Sequence, residues 1–405
     1  MEKRIKLIPS KLSGAVSPPP SKSLAHRAII CAALAEGLSH INNIAFSDDI
    51  TATIRAVERL GAFVEIQKNS LVIDGGNTFS KNELLIDCNE SGSTLRFMIP
   101  VALARPRKAN FTGRGRLGER PLDPFYPLFE KDEINWAKSK GAAFNFAVRG
   151  SLKGGNYQIP GNISSQFITG LLFALPLLEK NSTIEVTAAL ESRPYIDLTL
   201  DVLEAAGIEI QNENYRFFRI KGGQKYKNIN YTVESDYSQA AFFLCANAIG
   251  NAIDVQNLNP ASRQGDRAIM DCLKKTGGGA VIDGSQFPDI IPALSVACAL
   301  SPGSSRIINI GRLRLKECDR LNAIAKELGK IGADIKELED SLLIRGVESL
   351  TGGQADSRGD HRMAMSLAIA ATRCEKPLVI NDFDCVKKTY PNFWDDYKML
   401  GGRVE

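Results

Sequence analysis

The sequence predicts an α/β fold of two domains, each containing three βαβαββ units. Three observations support this prediction. The chain has 405 residues, more than one hydrophobic core usually holds. Helix-like and strand-like segments alternate along its whole length. One kind of segment also recurs at a spacing of about 70 residues, as expected of a repeated supersecondary unit.

The first kind of segment opens with a small or polar residue, continues into an Ala-rich apolar stretch and ends in a short β-like run. A helix followed by a strand fits this order. Six segments follow the pattern, although the fifth begins with an aromatic residue. They start at Ser21, Ser91, Ser164, Ser235, Phe287 and Gly359.

The second kind of segment is an amphipathic helix that stops at a glycine and is followed by two strands. Ile54, Val57 and Leu60 are at helical spacing before Gly61, and Phe63–Ile66 suits a strand. The copy at 121–150 is the weakest because two prolines interrupt its helix, and the copy at 264–285 is short. Any large α/β protein alternates loosely in this way, but the regular polar openings favour a true repeat.

Composition narrows the class of protein. No stretch approaches the roughly 20 apolar residues of a membrane span, and the N-terminus has no secretory pattern, so we expect a cytoplasmic protein. The eight cysteines are scattered without CxxC spacing, as reduced core thiols are, and three histidines are too few to indicate a metal cluster. A net charge of +4 does not by itself indicate nucleic-acid binding.

The polar openings of the helices are candidate anion sites. Helix N-termini present unpaired N–H groups and the positive end of the helix dipole, which favour phosphate and carboxylate. In the first opening, Arg27 offers a guanidinium fork, Lys22 a point charge and Ser23 a hydroxyl donor. A solvated basic helix start is the alternative explanation of this one motif.

Similar groups recur in the next openings, and each motif alone also fits an ordinary helix cap or a surface charge. A glycine flanked by hydroxyl residues permits close approach of the backbone to a ligand. Arginine provides an anion clamp, and serine and glutamine provide neutral donors. The candidates in this part of the chain are Gly92, Arg120, Ser164, Ser165, Gln166 and Ser192.

The last third of the chain mixes acids and bases at helix starts. Asp289 precedes an apolar helix and is either a helix-start charge or a general base. Lys316 and Arg320 are four residues apart, on one face if the helix has already begun, with Glu317 between them. A salt-bridged helix start explains the same pattern. Arg362 and Lys388 complete the candidate set.

Taken in order, these motifs resemble the 5-enolpyruvylshikimate-3-phosphate (EPSP) synthase family over nearly the whole chain. The matching motifs are SKSxxxR, SSQF, SxPYID, PD, LRxKExDR, DHRMAM and KTYP. The resemblance implies an enolpyruvyl transferase-like inside-out α/β barrel with a hinged cleft. It places residues 16–233 in the N-terminal domain and residues 1–15 with 234–405 in the C-terminal domain.

The resemblance also implies the reaction. The 5-hydroxyl of shikimate 3-phosphate adds to C2 of phosphoenolpyruvate, and the tetrahedral intermediate expels phosphate. No metal or organic cofactor is implied, and a monomer that binds these two small molecules is expected. The two substrates carry roughly −5 to −6 together, because each has a phosphomonoester of about −1.5 to −2 and a carboxylate.

The family pattern assigns roles residue by residue. Asp289 takes the proton of the attacking hydroxyl, and Glu317 with Lys22 serves the proton transfers at the methylene carbon and leaving group. The residues expected at shikimate 3-phosphate are Lys22, Ser23, Arg27, Ser164, Ser165, Gln166, Ser192, Asp289 and Lys316. Those expected at phosphoenolpyruvate are Lys22, Gly92, Arg120, Gln166, Arg320, Arg362 and Lys388.

Because these residues divide between the two expected domains, we predict an open resting form that closes on substrate. Scattering profiles that do not change when both ligands are added would contradict this. Four residues depart from the family pattern: Pro20 replaces a frequent glycine, Glu90 and Ser91 replace Asn-Ala, and Arg312 replaces Asn or His.

Two other functions fit parts of the pattern. The related UDP-N-acetylglucosamine enolpyruvyl transferase shares fold and chemistry, but a loop cysteine is expected there, and no cysteine lies between Cys88 and Cys245. A noncatalytic or RNA-end-processing protein with the same repeat would lack an acid pair such as Asp289 and Glu317.

Overall fold

The chain folds into two compact units, each with its own hydrophobic core. The computed structural model describes residues 3–139 and 144–405. Pro20–Glu234 forms the N-terminal unit, and the residues up to Pro19 together with Ser235–Glu405 form the C-terminal unit. Both units consist of repeated β–α segments, which confirms the predicted α/β class.

The elements up to Glu234 alternate as the two kinds of segment require. In chain order they are β1 (Arg4–Ile8), β2 (Ser13–Val16), α1 (Lys22–Leu34), β3 (Leu38–Asn42), α2 (Asp48–Leu60), β4 (Phe63–Ile66), β5 (Ser70–Asp74), β6 (Glu83–Asp87), α3 (Gly92–Ala102), β7 (Arg107–Gly113), α4 (Tyr126–Lys131), β8 (Asn135–Lys138), β9 (Phe144–Gly150), β10 (Gly155–Ile159), α5 (Ser165–Ala174), β11 (Ser182–Val186), α6 (Arg193–Ala205), β12 (Ile210–Glu213), β13 (Phe217–Ile220) and β14 (Asn230–Thr232).

The remaining elements follow the same order. They are α7 (Tyr237–Ala248), β15 (Ala252–Val255), α8 (Ile269–Leu273), β16 (Ala280–Asp283), α9 (Ile291–Ala299), β17 (Ser304–Ile308), α10 (Arg320–Lys330), β18 (Asp334–Glu337), β19 (Leu342–Arg345), β20 (Gly353–Asp356), α11 (His361–Ala371), β21 (Leu378–Asn381), α12 (Phe393–Met399) and β22 (Arg403–Val404). Short 3₁₀ turns at Gly115–Glu119, Gly311–Leu315 and Phe383–Lys388 precede or contain several candidate site residues.

Five four-stranded sheets share one pairing pattern, in which a parallel pair is extended by two antiparallel strands. Their strand orders are β14-β3-β5-β4, β6-β7-β9-β8, β10-β11-β13-β12, β16-β17-β19-β18 and β20-β21-β1-β22. The common pattern confirms that the recurring segments fold as copies of one unit. The first strand, β1, pairs with β21 and β22 of the C-terminal unit.

One copy is incomplete. In the described residues β15 pairs only with β2, in a two-stranded sheet, and no hairpin follows the five-residue helix α8. Three consecutive glycines, Gly277, Gly278 and Gly279, all with positive φ, then lead directly into β16 of the next sheet. The short segment at 264–285 therefore has room for a helix and one strand only.

The two kinds of helix have different environments. In α1, every residue from Leu24 to Leu34 is buried, because small alanines allow close packing on all sides. In α2, Ile54, Val57 and Leu60 form a buried stripe, and the helix ends at Gly61 with φ 122°, as predicted. The buried helices therefore bring their polar first residues directly to the edge of each core.

The weakest predicted copy, 121–150, contains the shortest helix of the N-terminal unit within the described residues. Pro124 lies in a 3₁₀ turn and Pro127 in the first turn of α4, which has only six residues. Proline lacks the N–H that a residue inside a helix donates, so extending α4 towards its N-terminus would cost a hydrogen bond at Pro127. Residues 140–143 of this copy lie outside the described residues.

Candidate active site

The polar first residues of α1, α3, α5 and α6 supply the candidates of the N-terminal unit. Ser21, Ser91 and Ser164 cap the first three helices with their hydroxyl groups, so Lys22, Gly92 and Ser165 are the first helical residues. Ser192 precedes α6 in the left-handed conformation, with φ 57°. A non-glycine residue in this region is strained, a feature common at functional sites.

Lys22 and Arg27 are held on opposite sides of the first turns of α1. The Lys22 Nζ lies 2.8 Å from the carboxylate of Asp49 on α2. Arg27 is almost fully buried and donates to the backbone carbonyls of Ser23 and Tyr195 and to the Thr199 hydroxyl, at 2.6, 2.8 and 2.8 Å. Burial lowers the pKa of Arg27 to about 10, so it remains charged at neutral pH.

Gly92 and Arg120 are in direct contact. A β-carbon built at Gly92 would lie 2.6 to 2.9 Å from the guanidinium of Arg120, closer than atoms can approach. The absence of a side chain therefore lets Arg120, which is 8% exposed, lie against the N-terminus of α3.

Gln166, at the start of α5, is held by two residues of α3. Its Nε2 donates to the Ser93 hydroxyl at 2.9 Å, and its Oε1 accepts from Arg96 Nη1 at 2.8 Å. Ser164 and Ser165 precede it in the same turn. The structure thus places Gly92, Arg120 and Gln166 around the first turn of α3.

The candidates of the C-terminal unit form one ion-pair cluster. The Asp289 carboxylate lies 3.2 Å from Arg320, 3.0 Å from Arg362 and 3.5 Å from Lys316. Glu317 lies 2.7 Å from Arg320 and 4.0 Å from Lys388. All six candidate residues of this unit are therefore connected through contacts between oppositely charged groups.

Opposite charges set the protonation of this cluster. Burial alone would raise the pKa of Asp289, but Arg362, Lys316 and Arg320 more than offset burial and hold it well below its usual range. Burial lowers the pKa of Lys316 to about 8, although the nearby Asp289 acts in the opposite direction. Asp289 is accordingly ionised in the resting protein.

Lys316 and Arg320 do not share a helical face, because α10 has not yet begun at Lys316. Lys316 follows a 3₁₀ turn with extended backbone, and α10 starts only at Arg320 after the cap of Asp319. The two side chains still meet at Asp289, because the turn, and not a helical face, brings Lys316 back.

Sequence reasoning gave no role to several residues that hold the candidates. Asp360 accepts from Arg320 Nε at 2.6 Å, and Ser238 accepts from Arg362 at 3.1 Å. Asp49 and Arg96 act similarly in the N-terminal unit. Asp360 could have been identified from the sequence, because it caps α11 shortly before Arg362. Identifying Asp49 and Arg96 requires knowing how the helices pack.

The described residues contain neither a metal-binding cluster nor a helix that could span a membrane. No group of three or more His, Cys, Asp or Glu residues in 3–139 and 144–405 is arranged to hold a metal ion. Within the same residues, every helix is too short or too polar to cross a bilayer. All eight cysteines are free thiols, and seven of them are buried.

Comparison with known proteins places the chain in a family. The family model for EPSP synthase (3-phosphoshikimate 1-carboxyvinyltransferase) matches residues 7–286 and 279–397. A 3-phosphoshikimate 1-carboxyvinyltransferase of Clostridium perfringens (strain ATCC 13124) is 52% identical over 99% of both chains. One of Clostridioides difficile (strain 630) is 50% identical over 99% of this chain and 98% of its own.

A solved structure has the same fold. The EPSP synthase of Acinetobacter baumannii, determined at 2.37 Å, superposes with a TM-score of 0.81, covers 100% of both chains and is 24% identical in sequence. Together with the matches in sequence, this establishes that the chain belongs to the EPSP synthase family.

Proposed function

We propose that this protein transfers the enolpyruvyl group of phosphoenolpyruvate to the 5-hydroxyl of shikimate 3-phosphate and releases phosphate. Relatives that are about half identical over their full length carry the name 3-phosphoshikimate 1-carboxyvinyltransferase. The single structural observation that carries the proposal is the Asp289 cluster, in which one carboxylate is surrounded by Lys316, Arg320 and Arg362. Such an arrangement combines a proton acceptor with binding groups for highly anionic substrates.

Asp289 is the proposed general base. It takes the proton of the 5-hydroxyl as that oxygen bonds to C2 of phosphoenolpyruvate. In the resting protein three cations hold the pKa of Asp289 well below its usual range, which makes it a weak base. Substrate phosphate and carboxylate groups that bind these cations would counter their effect, so Asp289 becomes a stronger base when the substrates are present.

Glu317 and Lys22 are proposed to serve the other proton transfers. A proton adds to the methylene carbon of phosphoenolpyruvate as the tetrahedral intermediate forms. Loss of a proton from the resulting methyl group then accompanies cleavage of the bond between C2 and the phosphate oxygen. Glu317 is held at 2.7 Å by Arg320 and Lys22 at 2.8 Å by Asp49, so both groups have defined positions.

The remaining candidates are proposed to bind the two anions. Buried or part-buried arginines are suited to phosphate and carboxylate because their donors form a rigid fork. Serine hydroxyls and the free N–H groups of helix starts add neutral donors. We assign Ser23, Arg27, Ser164, Ser165, Gln166, Ser192, Asp289 and Lys316, with Lys22, to shikimate 3-phosphate, and Lys22, Gly92, Arg120, Gln166, Arg320, Arg362 and Lys388 to phosphoenolpyruvate.

We further propose that the enzyme acts as a monomer in the cytoplasm. A single chain supplies every side chain in the proposed substrate set. Eight free cysteines, none in a disulfide, suit a reducing compartment. Light scattering coupled to size-exclusion chromatography tests the oligomeric state. We expect the mass of a monomer, and a dimer at the concentration of the assay would contradict the proposal.

The function is tested by a phosphate-release assay with shikimate 3-phosphate and phosphoenolpyruvate. We expect release that requires both compounds, with UDP-N-acetylglucosamine as a competing acceptor having no effect. Release with UDP-N-acetylglucosamine in place of shikimate 3-phosphate would assign the alternative transferase activity instead. No release with either acceptor would reject the proposal.

A further inference from the structure

Arg96 links three of the phosphoenolpyruvate-side candidates without belonging to the proposed substrate set. It lies on α3, one turn after Gly92, and is 3% exposed. Its Nη1 donates to Gln166 Oε1 at 2.8 Å, and its Nη2 donates to the carbonyl of Pro121 at 2.9 Å. Pro121 directly follows Arg120, so one guanidinium connects α3, the start of α5 and the turn that carries Arg120.

The contact with Gln166 fixes the orientation of its amide group. A guanidinium has donors and no acceptor, so the amide atom that faces it must be the oxygen. The Gln166 nitrogen is thereby turned towards Ser93, whose hydroxyl accepts at 2.9 Å. An amide nitrogen carries two hydrogens, and the second remains to be donated to an anion.

The guanidinium of Arg96 also packs against an aromatic ring. Its guanidinium carbon lies 4.9 Å from the ring centre of Phe167, the residue after Gln166. Arginine can stack on an aromatic ring while its edge donates hydrogen bonds, which lysine cannot do in the same way. Stacking and two hydrogen bonds together restrict Arg96 to one position.

We propose that Arg96 is a positioning residue that acts through Gln166: it locks the Gln166 amide so that an N–H group faces the substrates. This inference rests on the proposed function, because Gln166 is assigned there to both substrates. Arg96 itself does not contact substrate in this proposal, so its contribution should disappear when the Gln166 side chain is removed.

A double-mutant cycle tests the proposal. The variants are Arg96→Met, Gln166→Ala and the double variant, and the readout is kcat/KM for phosphoenolpyruvate from phosphate release at saturating shikimate 3-phosphate. We expect each single variant to lose about tenfold to a hundredfold, the loss that accompanies removal of one charge-assisted hydrogen bond. The double variant should be within about twofold of Gln166→Ala alone.

Arg107→Met is the matched control. Arg107 is 7% exposed, donates to the carbonyl of Lys81 at 3.1 Å and lies 4.9 Å from the ring centre of Phe79. It therefore has the same kind of contacts in the same unit, but they are made with Arg105, Lys81 and Phe79, none of which is a candidate residue. Its kcat/KM should stay within about twofold of the parent even if its melting temperature falls as far as that of Arg96→Met.

Arg96→Lys keeps the charge and much of the stem, and it provides a second test if Arg96→Met does not fold. Lysine cannot reproduce the fork that reaches Gln166 and Pro121 together, so an intermediate loss is expected, again absent in the Gln166→Ala background. Losses that multiply in either cycle would overturn the inference, because Arg96 would then act independently of Gln166. An inactive parent enzyme would instead reject the proposed function.

Discussion

The two groups of candidate residues hold their arginines in different ways. In the N-terminal unit, Arg27 and Arg96 donate to backbone carbonyls, a hydroxyl and an amide oxygen, all neutral acceptors. In the C-terminal unit, Arg320 pairs with three carboxylates, those of Asp289, Glu317 and Asp360. The printed contacts of Arg27 and Arg96 are thus with uncharged acceptors, although Lys22 of the same unit pairs with Asp49, whereas Arg320 is surrounded by carboxylates before any substrate binds.

The pKa values of the two buried arginines reflect this difference. Burial lowers the pKa of Arg27 to about 10, because the neutral acceptors around it do not compensate for the loss of water. Burial acts on Arg320 in the same direction, but Asp360, Glu317 and Asp289 together raise its pKa well above the ordinary value. An incoming anion at Arg27 therefore displaces no carboxylate, whereas an anion at Arg320 must compete with the three carboxylates around it.

The largest effect is expected from removing an acid of the C-terminal group. Asp289→Ala should lower kcat by about 10²- to 10⁴-fold, the usual contribution of a general base, and should change KM much less. Steady-state kinetics of phosphate release would measure both constants. Asp283→Ala is the control, because that carboxylate lies in the same unit but only accepts from Ser285 and Asn309.

A kcat for Asp289→Ala equal to that of the parent enzyme would refute the role of Asp289 as base. A raised KM with unchanged kcat would also count against it, because the carboxylate would then organise the neighbouring cations without taking a proton.

A smaller effect is expected from adding one carbon atom at Gly92, a candidate residue of the N-terminal unit. Gly92→Ala places a β-carbon within 2.9 Å of the Arg120 guanidinium, which must move. Loss of one charge-assisted hydrogen bond should raise KM for phosphoenolpyruvate about tenfold to a hundredfold. Thermal stability should change little, because the displaced atoms are the far end of a side chain.

Gly76→Ala is the matched control for this substitution. A β-carbon there would meet only the carboxylate of Asp74 at 3.2 Å, in the same unit. If Gly92→Ala left KM for phosphoenolpyruvate unchanged, Arg120 would not be needed at the position it now occupies.

The smallest effect is expected in the pH dependence of KM for shikimate 3-phosphate, which Lys316 of the C-terminal unit should determine. Lys316 has a pKa lowered to about 8, so its charge is present below pH 8 and is lost as the pH rises through that value. If only the charged form binds shikimate 3-phosphate, KM for that substrate should rise about tenfold between pH 7 and 9. Initial rates across this range measure the change.

Lys316→Arg removes the titrating amine and keeps a positive charge, because arginine stays protonated in this range. Its KM for shikimate 3-phosphate should therefore vary less with pH than that of the parent. An equally steep rise in the variant would assign the pH dependence to another group.

The sequence was a good guide to the repeat because the repeat is local. Small residues mark the buried helices, and Gly61, Gly207 and Gly332, all with positive φ, end α2, α6 and α10. The exception is the copy after α7, where one segment is too short to make a hairpin. The sequence left open whether α10 had begun at Lys316, and the cap at Asp319 places its start at Arg320.

The contacts within the candidate site were less predictable. Asp49 reaches Lys22 across 27 residues and Gln166 reaches Arg96 across 70. These distances along the chain are bridged by the packing of α1 on α2 and of α3 on α5, which no local pattern encodes. Charged residues at helix starts could be picked out as candidates, whereas the residues that hold them required the three-dimensional structure.

The Asp360 carboxylate stabilises the C-terminal unit through two different contacts. One oxygen accepts the backbone N–H of Arg362 at the start of α11, and the other accepts Arg320 Nε. A helix cap and a buried ion pair thus share one carboxylate. Asp360→Ala removes both contributions, whereas Asp360→Asn keeps a capping oxygen and removes the negative charge that pairs with Arg320. Comparing the free energies of unfolding of these two variants therefore separates the energy of the helix cap from that of the ion pair.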